Sequence, residues 1–144
     1  MSEKEFQLNE IESILISTIR TIMSEVTQHQ ELGITGSQYH LLDKIEKKTV
    51  TNVKHLAEVL NVKPSAITAM LERLVQHGFV SRVQDQRDRR AVVVTLTQEG
   101  VNILKKAREN SRTVLMKYAA LLDDQELYAL NSILYKFADY QTKK

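Results

Sequence analysis

Residues 53–78 read Val53-Lys54-His55-Leu56-Ala57-Glu58-Val59-Leu60-Asn61-Val62-Lys63-Pro64-Ser65-Ala66-Ile67-Thr68-Ala69-Met70-Leu71-Glu72-Arg73-Leu74-Val75-Gln76-His77-Gly78. Val53, Leu56, Ala57 and Leu60 fall at i, i+3, i+4 and i+7, the inward face of a helix about two turns long. Asn61-Val62-Lys63 interrupts the pattern. Pro64 then suits the first turn of a new helix, because its ring presets φ and its missing N–H would have no intrahelical acceptor. Ala66, Ile67, Met70, Leu71 and Leu74 make the buried side of this second helix. Ser65, Thr68, Ala69, Glu72, Arg73 and Gln76 point elsewhere, and Gly78 supplies the stop. Two short helices joined by a tight turn predict a helix-turn-helix whose second helix offers a small, polar outer face.

On the C-terminal side, Phe79-Val80-Ser81-Arg82-Val83 and residues 91–96 read as two strands of a hairpin. Between them Gln84-Asp85-Gln86-Arg87-Asp88-Arg89-Arg90 exceeds the usual two to five hairpin residues and carries three arginines. Thr97 with Glu99 opens a long helix with Leu104, Ala107, Val114, Leu115, Tyr118 and Leu122 as apolar positions. Asp123 and Glu126 form a capping box for a last helix lined by Leu127, Leu130, Leu134 and Phe137. On the N-terminal side, Thr35 with Gln38 caps a helix with Leu41, Leu42 and Ile45 inward, and Thr49-Val50-Thr51 is β-branched enough for a brief strand. Leu8, Ile11, Leu15, Ile19, Ile22 and Val26 mark a long first helix that the Gly33 region ends. The predicted class is mainly α with a small β-hairpin: a winged helix-turn-helix flanked by terminal helices.

The 144 residues fit one domain, and Leu, Ile, Val and Phe make up about 30% of them, above the roughly 20% below which chains stay disordered. The longest apolar run, residues 118–122, is far short of a membrane span, and the polar, acidic start does not read as a signal peptide. A soluble cytoplasmic protein is therefore expected. No cysteine is present, which excludes disulfides, thiolate chemistry and peroxide sensing through a thiol. The formal charge is +2, unevenly placed: residues 1–33 carry two basic and six acidic residues, 34–96 ten and six, and 97–144 eight and six. The basic part is the part predicted to be winged.

In this order the motifs resemble those of the multiple antibiotic resistance regulator (MarR) family of bacterial and archaeal transcription factors. The resemblance runs through Ile34-Thr35 with Gln38 and Leu41-Leu42, Leu56-Ala57, Ile67-Thr68 with Leu71, Arg73 and Leu74, and His77-Gly78-Phe79-Val80 with Arg82. Its most specific part is Asp85-Gln86-Arg87-Asp88-Arg89-Arg90, followed by Val94-Thr95-Leu96-Thr97 and Gly100. It implies a single domain over 1–144, with a DNA-binding part at 34–97 and dimerisation helices at 1–33 and 98–144. It also implies a homodimer reading an inverted repeat in duplex DNA, most often as a repressor lodged on the nucleoid. The residues agree, since both chain ends carry apolar stripes that a small winged domain cannot cover alone.

The resemblance assigns DNA contacts to Ser65, Thr68, Ala69 and Arg73 on the recognition helix and to Arg87, Arg89 and Arg90 in the wing. Hydroxyls and N–H groups near a helix N-terminus reach phosphate or base edges, and an arginine can reach phosphate or guanine. Read without the family, Ser65 starts a helix and Arg73 is an exposed charge paired with Glu72 or Asp88. Ala69 stands where many relatives have arginine, so a thymine methyl replaces guanine as its natural contact. Either Arg87 or Arg89 occupies the wing tip, where it would enter the minor groove. Asp88 braces the loop with Arg90, although Lys63 stands where relatives place the acid that pairs with such an arginine. A small aromatic effector would bind between the winged and dimer parts, with Met23, Tyr39 and His40 as candidate pocket residues that ordinary core packing explains equally well.

Other classes find little support. Four histidines, His29, His40, His55 and His77, lack metal-ligand spacing, and Lys105-Lys106-Ala107-Arg108-Glu109 stands where zinc-sensing relatives cluster histidines. No hydrolase, zincin or phosphate-loop motif occurs, so neither an enzyme nor a cofactor is expected. The remaining alternative is a winged helix used for protein–protein contact, against which Arg73, Arg87, Arg89 and Arg90 argue.

Overall fold

The computed structural model describes residues 2–47, 52–84 and 92–143. Six helices and one hairpin follow in the order α1 (Glu3–Val26), α2 (Gly36–Lys47), α3 (Val53–Leu60), α4 (Pro64–Gln76), β1 (Val80–Gln84), β2 (Val92–Leu96), α5 (Gln98–Ala119) and α6 (Asp124–Thr142). Local chemistry sets most boundaries. Gln38 N–H donates to the Thr35 hydroxyl (3.1 Å) and Thr35 N–H to the Gln38 amide oxygen (2.9 Å), so the expected box opens α2. Asp123 and Glu126 do the same for α6, and a third box, Ser2 with Glu5, opens α1. Asn61 closes α3 in the left-handed region (φ 53°), a conformation asparagine tolerates.

The first helix stops earlier than the sequence suggests. Thr27 turns its hydroxyl back onto the Met23 carbonyl (2.7 Å) at the end of α1, and a separate 3-10 turn, Gln30–Leu32, precedes Gly33. Gly33 (φ 76°) therefore ends that turn and not α1. The hairpin is antiparallel, with Val80 opposite Leu96 and Gln84 opposite Val92, so Gln84 belongs to a strand and not to the loop. The brace and tip residues of the wing, at 85–91, and the brief strand expected at Thr49-Val50-Thr51 lie outside the described residues.

One core joins the middle of the chain to the first half of α5. Leu41 and Leu42 from α2, Leu56 from α3, Ile67, Leu71 and Leu74 from α4, Val80 from β1, and Leu104 and Ala107 from α5 are all buried. Each fully buried leucine or isoleucine contributes about 1.5–3 kcal/mol over its exposed state, so this cluster fixes α4 as a rigid element. The chain ends contrast with it: α1 and α6 contain no buried residue. Leu8, Ile11, Leu15 and Ile19 on α1, and Leu127, Leu130, Leu134 and Phe137 on α6, stand about half exposed. No helix among the described residues is long and apolar enough to cross a membrane.

Candidate nucleic-acid interface

The outer face of α4 is built on its buried face. Ile67 and Leu74 are fully buried, and the 3.6-residue period turns Ser65, Thr68, Ala69 and Arg73 outward, all four exposed. Lys63 caps the helix in an extended conformation without a side-chain hydrogen bond, and Pro64 has no N–H. The N–H of Ser65 is thus presented outward at the positive end of the helix dipole, beside the exposed Lys63 ammonium. Thr68 donates its hydroxyl proton to the Pro64 carbonyl (3.2 Å), which leaves its oxygen lone pairs and methyl group free to face a ligand. Arg73, in the last turn, forms no ion pair with Glu72 or any other described residue. Such a helix presents donors, an acceptor, two methyl groups and two cations, a chemistry suited to phosphates and base edges.

The hairpin is tied to α5 through Thr97. Its hydroxyl donates a short hydrogen bond to the Gly78 carbonyl and accepts from Gly100 N–H (3.0 Å), while its own N–H donates to the Phe79 carbonyl (3.1 Å). At Gly100 a β-carbon would overlap the Phe79 carbonyl oxygen, so only glycine lets α5 start this close to the chain entering β1. Out along the strands, the Ser81 and Thr95 hydroxyls pair at 3.0 Å and Arg82 is exposed. Arg87, Asp88, Arg89 and Arg90 lie outside the described residues.

Of the pocket candidates, Tyr39 and His40 have their rings side by side. The Tyr39 ring lies 5.4 Å from that of His40 and 4.8 Å from that of His29, centroid to centroid, and Met23 stands exposed on α1. No spacing or motif pointed to His29 in this cluster. It is buried, and neither ring nitrogen has a hydrogen-bond partner among the described residues. Burial, with the like charge of His40 second, holds its pKa below the ordinary histidine value. Among the described residues no three His, Asp or Glu side chains converge as metal ligands do.

Two further polar links escaped the sequence reading because each joins residues more than sixty positions apart. Arg108 on α5 grips Asp43 and Glu46 on α2, and the Ser111 hydroxyl donates to the Val26 carbonyl at the end of α1 (2.7 Å). Burial disfavours the Asp43 carboxylate, yet hydrogen bonds from Lys47 and Arg108, and the charges of both, outweigh it and hold its pKa below the usual range.

The sequence profile of the MarR family matches residues 34–92. The chain is 28% identical over 132 residues to the HTH-type transcriptional repressor MdtR of Bacillus subtilis, covering 91% of this chain and 85% of that one. An uncharacterised HTH-type transcriptional regulator of the same organism, YhbI, is 33% identical over 112 residues, covering 74% and 72%. Among solved structures, a mutant of MarR from E. coli complexed with operator DNA superposes with a TM-score of 0.70 at 25% identity, covering 94% of this chain and 99% of that one. Profile, relatives and fold agree with the motifs at 34–100, and the chain belongs to the MarR family.

Proposed function

We propose that this protein is a sequence-specific, duplex DNA-binding transcriptional repressor that acts as a homodimer, by binding alone and without catalysis, in the cytoplasm of a bacterium or archaeon. The observation that carries the reading is the outer face of α4, where Ser65, Thr68, Ala69 and Arg73 stand exposed and unpaired by any described charge on a helix clamped by Ile67, Leu71 and Leu74. The E. coli relative solved with operator DNA supports it. In this reading α4 enters the major groove, Thr68 and Ala69 meet base edges, and Ser65, Arg73 and Arg90 meet phosphates. Arg87 or Arg89 enters the minor groove from a wing braced by Asp88.

The winged part, 34–97, is carried by the helical ends at 1–33 and 98–144. The half-exposed apolar stripes of α1 and α6 are covered in this reading by the same stripes of a second copy, which gives the two-fold symmetry that an inverted repeat mirrors. Release of DNA follows from a small aromatic molecule that prefers a spacing of the two recognition helices unlike that of the operator. A preference of about 1.4 kcal/mol changes affinity tenfold. With no cysteine in the chain, peroxide has no thiol through which to act.

The test is selection from a random duplex library followed by gel-shift titration against salt. Enrichment of a palindromic sequence, bound at least about a thousandfold more tightly than competitor DNA and steeply weakened by salt, is expected. Failure to enrich any sequence refutes the reading.

A further inference from the structure

Arg108 stands eleven residues beyond Thr97 on α5, about 16 Å along the helix axis at 1.5 Å per residue. Its two terminal guanidinium nitrogens serve different carboxylates of α2: one meets Asp43 at 2.6 Å and the other Glu46 at 2.7 Å. Asp43 is mostly buried, and its second oxygen takes Lys47 at 2.8 Å. A planar fork held at both ends fixes direction as well as distance, which a single ammonium contact cannot do. Thr97 fastens the start of α5 to the hairpin, and Arg108 fastens the helix to α2 three turns later. Between these points Leu104 and Ala107 are buried in the winged core, and beyond Ser111 no residue of α5 is buried. The first half of α5 is thus held against the winged unit at two separated points, and the angle between them is fixed where Arg108 meets α2.

We propose that Arg108 is a positioning residue for DNA recognition: through Asp43 and Glu46 it sets the angle of the winged unit on α5, and thereby the separation of the two recognition helices in the dimer. The proposal rests on the reading above of a dimeric DNA-binding regulator. It follows from where the link sits, because α5 leads from the hairpin to the C-terminal helix, and α2 packs against α3, the first helix of the helix-turn-helix, and against β2. An arginine that only stabilised the fold would weaken binding to all duplexes alike. One that sets an angle governs the preferred distance between half-sites.

The test compares the wild type with Arg108→Gln, Arg108→Lys and Glu46→Gln, the last weakening one arm of the fork by removing its charge at a partly exposed site. The probes are the duplex selected by the wild type, the same duplex lengthened or shortened by one base pair between half-sites, and poly(dI-dC). The wild type should prefer its selected spacing about tenfold, and Arg108→Gln should cut that preference to about threefold or less while poly(dI-dC) affinity stays within about twofold. Arg108→Lys and Glu46→Gln should fall between. An unchanged spacing profile in Arg108→Gln, or an equal loss on every probe, overturns the proposal. Should Arg108→Gln not fold, a wild-type profile in Glu46→Gln overturns it. A wild type that selects no duplex overturns the functional reading beneath it.

Discussion

Replacing Thr97 by valine keeps the side-chain volume and removes the hydroxyl that holds the hairpin to α5. Two bonds disappear: the Gly100 N–H loses its cap, and the part-buried Gly78 carbonyl loses its donor. Loss of an N-cap costs about 1 kcal/mol. A buried carbonyl left without a donor costs about 1–3 kcal/mol more. No cavity forms, so the expected destabilisation is about 2–4 kcal/mol, a fall in melting temperature of roughly 10 °C for a chain of this size. Thr97→Ser retains the oxygen and should lose under about 1 kcal/mol. Urea denaturation followed by circular dichroism, at one fixed protein concentration because association shifts the midpoint, measures both. A Thr97→Val variant within about 0.5 kcal/mol of the wild type would show that the hub is incidental.

The buried, unpartnered His29 binds a proton more weakly in the folded than in the unfolded chain, so its contribution to stability is complete above about pH 6.5 and declines as pH falls from there through the lower folded value. His29→Phe should therefore lose less stability than the wild type between about pH 7.5 and 5.5; parallel curves would remove His29 as the cause. Arg87→Ala or Arg89→Ala should weaken binding on all sequences and flatten the salt slope by about one, whereas Thr68→Ala should act chiefly on the selected site. Wing variants that leave both affinity and slope untouched would exclude the minor-groove role. Leu130 and Phe137 are 42% and 57% exposed in a single chain, where an aspartate would be nearly free; if a second copy covers them, Leu130→Asp or Phe137→Asp should cost several kcal/mol and give monomers by sedimentation. Variants that remain fully dimeric would place the interface elsewhere.

What the sequence made legible was local. The Thr35–Gln38 and Asp123–Glu126 boxes, Pro64 at the start of α4 and the period-3.6 apolar faces each act within a turn or two, and each appears where its chemistry requires. The end of α1 misled because Gly33 is the stronger stop signal, while Thr27 acts through a hydroxyl turned back onto the helix. Gly100 could be quoted as part of a motif, but its reason, the nearness of the Phe79 carbonyl, exists only once the hairpin has folded back. His29 and Arg108 gave no signal, since burial of the one and the two carboxylates of the other are supplied by distant segments. Of the proposed DNA-contacting residues, those on α4 fell on one exposed face because helical periodicity guarantees it.

The central claim is that two copies of α4 read two halves of one site. Hydroxyl-radical footprinting on the selected duplex, with the protein-to-DNA ratio fixed by titration, tests it most directly. One dimer per duplex, protecting two symmetric patches about one helical turn, roughly 10 bp, apart, is the predicted result. A single asymmetric patch, or saturation at one chain per duplex, would contradict it.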